Sequence, residues 1–127
     1  MLGMSGKMTK IIKLICSASI LFVAQNTLAC DYPTRVLIPN GSTATKDEMI
    51  TGQRGVKTYV TEMEVYLECI VEEEKVAVAA MDGLEPEEEQ QREDMINKKY
   101  NAAVDEMERV AAQFNAEVQA YKAKDDG

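Results

Sequence analysis

The 127-residue chain has no histidine and no tryptophan, two phenylalanines and three prolines. Without histidine it lacks the usual general base near neutral pH and the usual metal ligand. Serine–histidine and cysteine–histidine nucleophiles and ordinary zinc sites are excluded with it. Prolines are confined to positions 33, 39 and 86, so two long stretches, 40–85 and 87–127, carry no helix breaker of that kind. Strand-forming runs are scarce too, the longest being Arg35–Ile38. Almost half of the residues are apolar and 28% are charged, a balance that suits one small globular domain.

The start of the chain reads as an export leader rather than as part of the fold. Lys7, Lys10 and Lys13 precede an apolar run from Leu14 to Ala24, and Thr27-Leu28-Ala29 suits cleavage after Ala29. A start at Met4 or Met8 would give a more compact basic region. An apolar run of that length makes a helix of ~16 Å, short of the ~30 Å hydrocarbon core, so no membrane span is expected. Leu28-Ala29-Cys30 also ends like a lipobox, although Thr27 stands where bacterial lipoboxes usually place leucine. Secretion and lipid anchoring at Cys30 are thus alternatives. Cleavage removes Cys16 and leaves Cys30 and Cys69, an even pair in an oxidising compartment, whereas acylation of Cys30 would leave Cys69 odd. Localisation is accordingly expected to be periplasmic or secreted, with a lipid-anchored form as the alternative.

Loss of the leader sharpens the acidity. Residues 30–127 hold 22 acidic and 11 basic side chains, a net of −11. Nucleic acid and anionic lipid surfaces need a basic face and are therefore poor partners, and no nucleic acid is expected. Basic proteins or divalent cations are electrostatically compatible, and plain solubility explains the same charge.

Residues 30–44 form an expected extended arm, since Pro33 and Pro39 resist helix and Asn40-Gly41 marks a turn. Thr45 and Glu48 have capping-box spacing. Met49, Val56, Met63, Ile70 and Ala77 then recur every seventh residue, which predicts a first helix over about 45–82. Gly52 and Gly55 each cost ~1 kcal/mol relative to alanine, and the first turns are expected to fray or bend there. Asp82-Gly83-Leu84-Glu85-Pro86 is a break, followed by Glu87-Glu88-Glu89 where a helix dipole favours acid. Tyr100, Met107, Phe114 and Tyr121 set the second stripe, for a helix over about 86–123. A short connection makes the helices antiparallel neighbours. The fold class is all-α: a helical hairpin with an extended N-terminal arm, the hairpin occupying 45–124.

The arm is long enough to return along the first helix to Cys69. From Thr45 to Cys69 is about 36 Å of helix, and the arm spans up to about 50 Å. A Cys30–Cys69 disulfide is therefore expected, with Val36-Leu37-Ile38 covering the hairpin groove.

Cys30-Asp31-Tyr32-Pro33, Ile38 through Thr45, Tyr66-Leu67-Glu68-Cys69, Phe114-Asn115 and Tyr121-Lys122 carry a further signal. In these segments the chain resembles a family of small uncharacterised secreted or envelope proteins of proteobacteria, built from a cysteine arm and two helices. The likeness covers most of the chain after the leader and implies no activity or cofactor. Gly52 and Gly55 depart from the helix formers expected at those positions.

No catalytic, cofactor-binding or metal-binding residue emerges. Glu72-Glu73-Glu74 and the acids between Glu85 and Asp94 contain no Asp-x-Asp-x-Asp-Gly loop, and they read most simply as solvated helix surface. Paired carboxylates can hydrolyse glycosides only within a cleft, and a hairpin offers little concave surface. The protein is read as a non-enzyme. Tyrosines and methionines at helical spacing read as core, with a hydrophobic-peptide groove as the functional alternative. Ile50, Val65, Val71, Val76 and Val78 lie off the main stripe, and the last four are the expected partner contacts. A homodimer pairing two hairpins into a four-helix bundle is the expected way to cover them.

Overall fold

The computed structural model describes residues 30–125. The expected leader, 1–29, lies outside the described residues, as does Cys16. After the arm the chain is an all-α helical hairpin: α1 spans Lys46–Ala79 and α2 spans Pro86–Asp125. At 1.5 Å per residue they are about 51 and 60 Å long.

Each end of each helix has a local cause. Thr45 caps α1 in extended backbone. Its hydroxyl accepts from the Glu48 amide at 3.2 Å, and the Glu48 carboxylate accepts from the Thr45 amide at 2.7 Å. Two otherwise unpaired donors are thereby satisfied. α1 stops at Ala79, short of Asp82, because residues 80–85 are needed to reverse the chain. The Ala80 and Met81 amides bond back to Val76 and Val78, and Gly83 adopts φ +70°. Pro86 opens α2, Glu87–Glu89 meet its positive end, and Lys122 and Lys124 its negative end.

The core lies along the seam. Met49, Val56, Met63 and Ile70 are buried at their seven-residue spacing, joined by Tyr59, Tyr66 and Leu67. From α2 come Ala103, Val110 and Phe114. Tyr100 departs from the expected stripe and is 39% exposed, because the seam passes through Ala103 instead. Bidentate Arg92 and Glu74, at 2.8 and 3.0 Å, tie the helices near the bend.

Gly52 and Gly55 lie within an unbroken helix and do not fray it. They are the floor on which the arm rests. A β-carbon at residue 52 would come within 2.6 Å of the Pro39 ring, and one at residue 55 within 2.9 Å of Val36 Cγ2. The two glycines let an extended segment sit against a helix backbone.

Candidate interaction surface

The arm is pinned at both ends. At its start Cys30 and Cys69 form a disulfide with S–S 2.06 Å and Cα–Cα 5.7 Å. Closing a loop with sequence separation 39 stabilises the fold by about 4 kcal/mol in the chain-entropy account. Beside it Tyr32 packs edge-on against Tyr66, ring centroids 5.0 Å apart. Burial pushes the Tyr59 hydroxyl above its ordinary value, and the nearby Tyr32 hydroxyl adds to the shift. Arg35 reaches Glu106 at 3.7 Å, and Glu106 also pairs with Arg109. At the other end, Asn40 accepts from the amides of Ser42, Thr43 and Ala44, forming a tight turn. The Gly41 amide donates to Glu117 at 2.7 Å, and Lys124 Nζ donates to the Ala44 carbonyl at 2.6 Å. The last turns of α2 therefore hold the start of α1.

The acidic triplet does not converge. Glu72 faces Lys75 at 3.8 Å, and Glu74 is held by Arg92. The Glu73 carboxylate lies 3.3 Å from Cys30 Sγ, a contact and not a hydrogen bond, since a disulfide sulfur has no proton to give. Among the described residues no group of three acidic or cysteine side chains is arranged to hold a metal ion. No described helix is long and apolar enough to cross a membrane.

The four valines singled out by sequence separate into two kinds. Val65 and Val76 are each 62% exposed. Val71 is half-buried and packs against the core cluster, lining a groove with Leu67 and Tyr100. Val78 is half-buried in the last turns of α1. The reason is angular: Val65 and Val76 are eleven residues apart, close to three full turns, and share one line on α1, whereas Val71 points to its inner side.

Other exposed apolar side chains escape the sequence pattern. Leu37 stands 90% exposed on the arm, its neighbours Val36 and Ile38 turned inward. Near the bend, Met95 is 65% exposed and Met81 40%. Helical spacing alone groups Met95 with the core methionines. Its position relative to the seam is the missing signal.

Fold and surface together define a class of molecule: an antiparallel helical hairpin braced by a disulfide-anchored arm, with apolar side chains left uncovered on α1 and at the tip. Comparison of the chain with protein-family models, with curated proteins and with solved structures finds no match in any of the three.

Proposed function

We propose that the chain is an exported, non-enzymatic helical protein that acts through protein–protein contacts, in the periplasm or secreted. The observation that carries this reading is the apolar surface outside the seam, above all Val65 and Val76 at 62% exposure on one line of α1. Such residues on a chain rich in solvating charge mark contact surface. The leader pattern in 1–29 and the Cys30–Cys69 bond support an oxidising compartment. The bond also favours the secreted form over a lipid-anchored one, since acylation of Cys30 would use the same sulfur. Resemblance to the proteobacterial envelope family points the same way. The lack of histidine and the divergent acidic triplet support a non-enzymatic role.

The test is photo-crosslinking in the cell envelope from positions 65 and 76, with the exposed polar position Gln119 as control. Discrete protein adducts, the chain's own dimer included, are expected from the two valine positions and not from the control. Equal adducts from all three positions, or none, overturn the contact reading. The intact mass of the exported chain separates the two forms, since only the anchored one carries acyl chains.

A further inference from the structure

The arm lies along one side of α1 and runs antiparallel to it. Pro39 rests on Gly52, Val36 on Gly55, Tyr32 packs against Tyr66, and Cys30 is bonded to Cys69. Tyr59 lies midway along this face and is buried, with Tyr32 and Arg35 of the arm beside its hydroxyl. The arm is thus the cover of a tyrosine-bearing face of the first helix.

Its two halves are held by different means. From Asn40 to Ala44 the chain is bonded within its own turn and to α2, through the Gly41 amide on Glu117 and the Ala44 carbonyl on Lys124. Among the described residues, no backbone–backbone hydrogen bond involves 31–38. Pro33 is buried and Val36 and Ile38 half-buried, but Tyr32 and Leu37 are exposed. The Arg35–Glu106 pair is 3.7 Å long with an exposed guanidinium, and such a pair holds little. Ordering the backbone from 30 to 38 costs more than these few side chains return. The disulfide makes up the difference, because it keeps the end of the arm from leaving.

That bond does not join the two helices. Cys69 belongs to α1 and Cys30 to the arm. The helices meet through Met63, Ile70, Ala103, Val110 and Phe114, and through Arg92 on Glu74. Cutting the disulfide releases the arm and leaves the contacts of the seam in place.

We propose that the Cys30–Cys69 bond is a redox latch: its reduction frees residues 30–38 and uncovers the Tyr59–Tyr66 face of α1, while the hairpin stays folded. In an oxidising compartment the latch is shut. A protein dithiol opens it. One thiolate of the dithiol attacks a sulfur of the bond and forms a mixed disulfide, and the second thiol then displaces that sulfur. Two electrons and two protons pass to Cys30 and Cys69, and the dithiol leaves as a disulfide. Asn40 and Gly41, still fixed to α2, are the hinge. The freed arm therefore stays within reach of its seat, and a disulfide oxidant closes the latch again. The face it controls is distinct from the Val65–Val76 line, so the latch does not depend on what meets that line.

The test compares the exported chain oxidised, reduced with dithiothreitol and reoxidised, together with the Cys30→Ser/Cys69→Ser double variant. Backbone ¹⁵N relaxation, amide exchange and tyrosine titration are read on each. Residues 31–38 are expected to be as ordered as the helices when oxidised. On reduction and in the double variant their order parameters are expected to fall below about 0.6. The amides of Gly55, Tyr59 and Tyr66 are expected to shift, and the Tyr59 hydroxyl to titrate nearer the ordinary tyrosine value. The amides of Met63 and Val110 are expected to keep their protection from exchange, and reoxidation to restore the first pattern. An arm as ordered after reduction as before would show that side-chain contacts suffice, and would overturn the latch. Loss of protection at Met63 and Val110 along with the arm would overturn it too, since the bond would then hold the whole fold. So would an arm already disordered in the oxidised chain.

Discussion

The ring of Pro39 lies on the backbone of Gly52, its Cδ 2.6 Å from where a β-carbon on residue 52 would stand. Alanine at that position gains about 1 kcal/mol of helix propensity. It also drives a methyl into a ring that cannot swing aside, and Phe114 Cε2 would be only 3.3 Å from it. Overpacking of this kind costs about 1–3 kcal/mol, so Gly52→Ala is expected to be net destabilising by about 1 kcal/mol. In a Pro39→Ala background the same change is expected to be neutral or stabilising. Urea midpoints of the four proteins in the cycle decide the matter. At Gly55 the obstacle is one rotatable methyl of Val36, and Gly55→Ala is expected to fall within about 0.5 kcal/mol of wild type.

Gly41 is the stricter case. A β-carbon there would fall on the Glu117 carbonyl and 2.9 Å from the Tyr121 amide nitrogen. Both belong to the backbone of α2, which yields only if the turn lifts away. Lifting also breaks the 2.7 Å bond from the Gly41 amide to Glu117. Gly41→Ala is expected to cost about 3 kcal/mol, more than any other single glycine change in the arm's path. Thermal unfolding ranks the three substitutions, and a Gly41→Ala protein as stable as wild type would show that the turn does not press on α2.

These glycines show where sequence reading stops. The spacing of Met49, Val56, Met63 and Ile70, the Thr45–Glu48 box and the Gly83–Pro86 break were legible because each is a local relationship. The Cys30–Cys69 bond was legible because parity and chain reach leave few choices. By contrast, Gly52 and Gly55 look like flaws in a helix, since their role depends on Pro39 and Val36, which chain reach alone does not place in register. The same holds for Val71 and Val65. Both lie off the heptad line, and only the helix's rotation about its axis decides that one packs on the core and the other faces solvent. The exposed Met95 is hidden in the same way, because a methionine at helical spacing reads as core until the arm's length is fixed.

Glu73 guards the disulfide. Its carboxylate stands 3.3 Å from Cys30 Sγ, near enough for its charge to oppose a thiolate coming to that sulfur. Exchange proceeds by anionic attack, so a fixed negative charge slows it. Glu73→Gln is expected to speed reduction by glutathione several-fold with little change in the unfolding midpoint. The effect should shrink at high salt. Equal reduction rates for the two proteins would show that access, not charge, limits the reaction.

The α1 cap makes stability depend on acid pH. The backbone bond from Thr45, with its hydroxyl second, holds the Glu48 carboxyl below the usual glutamate range. The folded state therefore binds this proton less readily than the unfolded chain. Its contribution is complete above the ordinary glutamate value and is lost as pH falls through the lowered one. Glu48→Gln is expected to be less stable than wild type at neutral pH and to converge with it in acid. Thr45→Ala is expected to cost about 1 kcal/mol at neutral pH. Tyr59 acts at the other limb: burial raises its hydroxyl, so its share is complete below the ordinary tyrosine value and is lost as pH rises toward the raised one. Tyr59→Phe should flatten the alkaline limb, and urea midpoints across pH check both signs.

Val65 and Val76 fall on one line of α1, about 16 Å apart along the axis, and each is 62% exposed. A two-fold axis through that line would bring both valines of one copy against both of another and convert two hairpins into a four-helix bundle. Each substitution then counts twice per dimer, and a buried glutamate adds a desolvation cost to the lost contact. The exported chain is expected to dimerise at micromolar concentration. Val65→Glu is expected to weaken the dimer by at least about tenfold, while Glu64→Ala, one position away and outside the line, leaves it nearly unchanged. Sedimentation equilibrium of the three proteins measures this directly. A monomer throughout the micromolar range would leave Val65 and Val76 facing solvent in the free protein, and the contact made by α1 would have to be with a different chain.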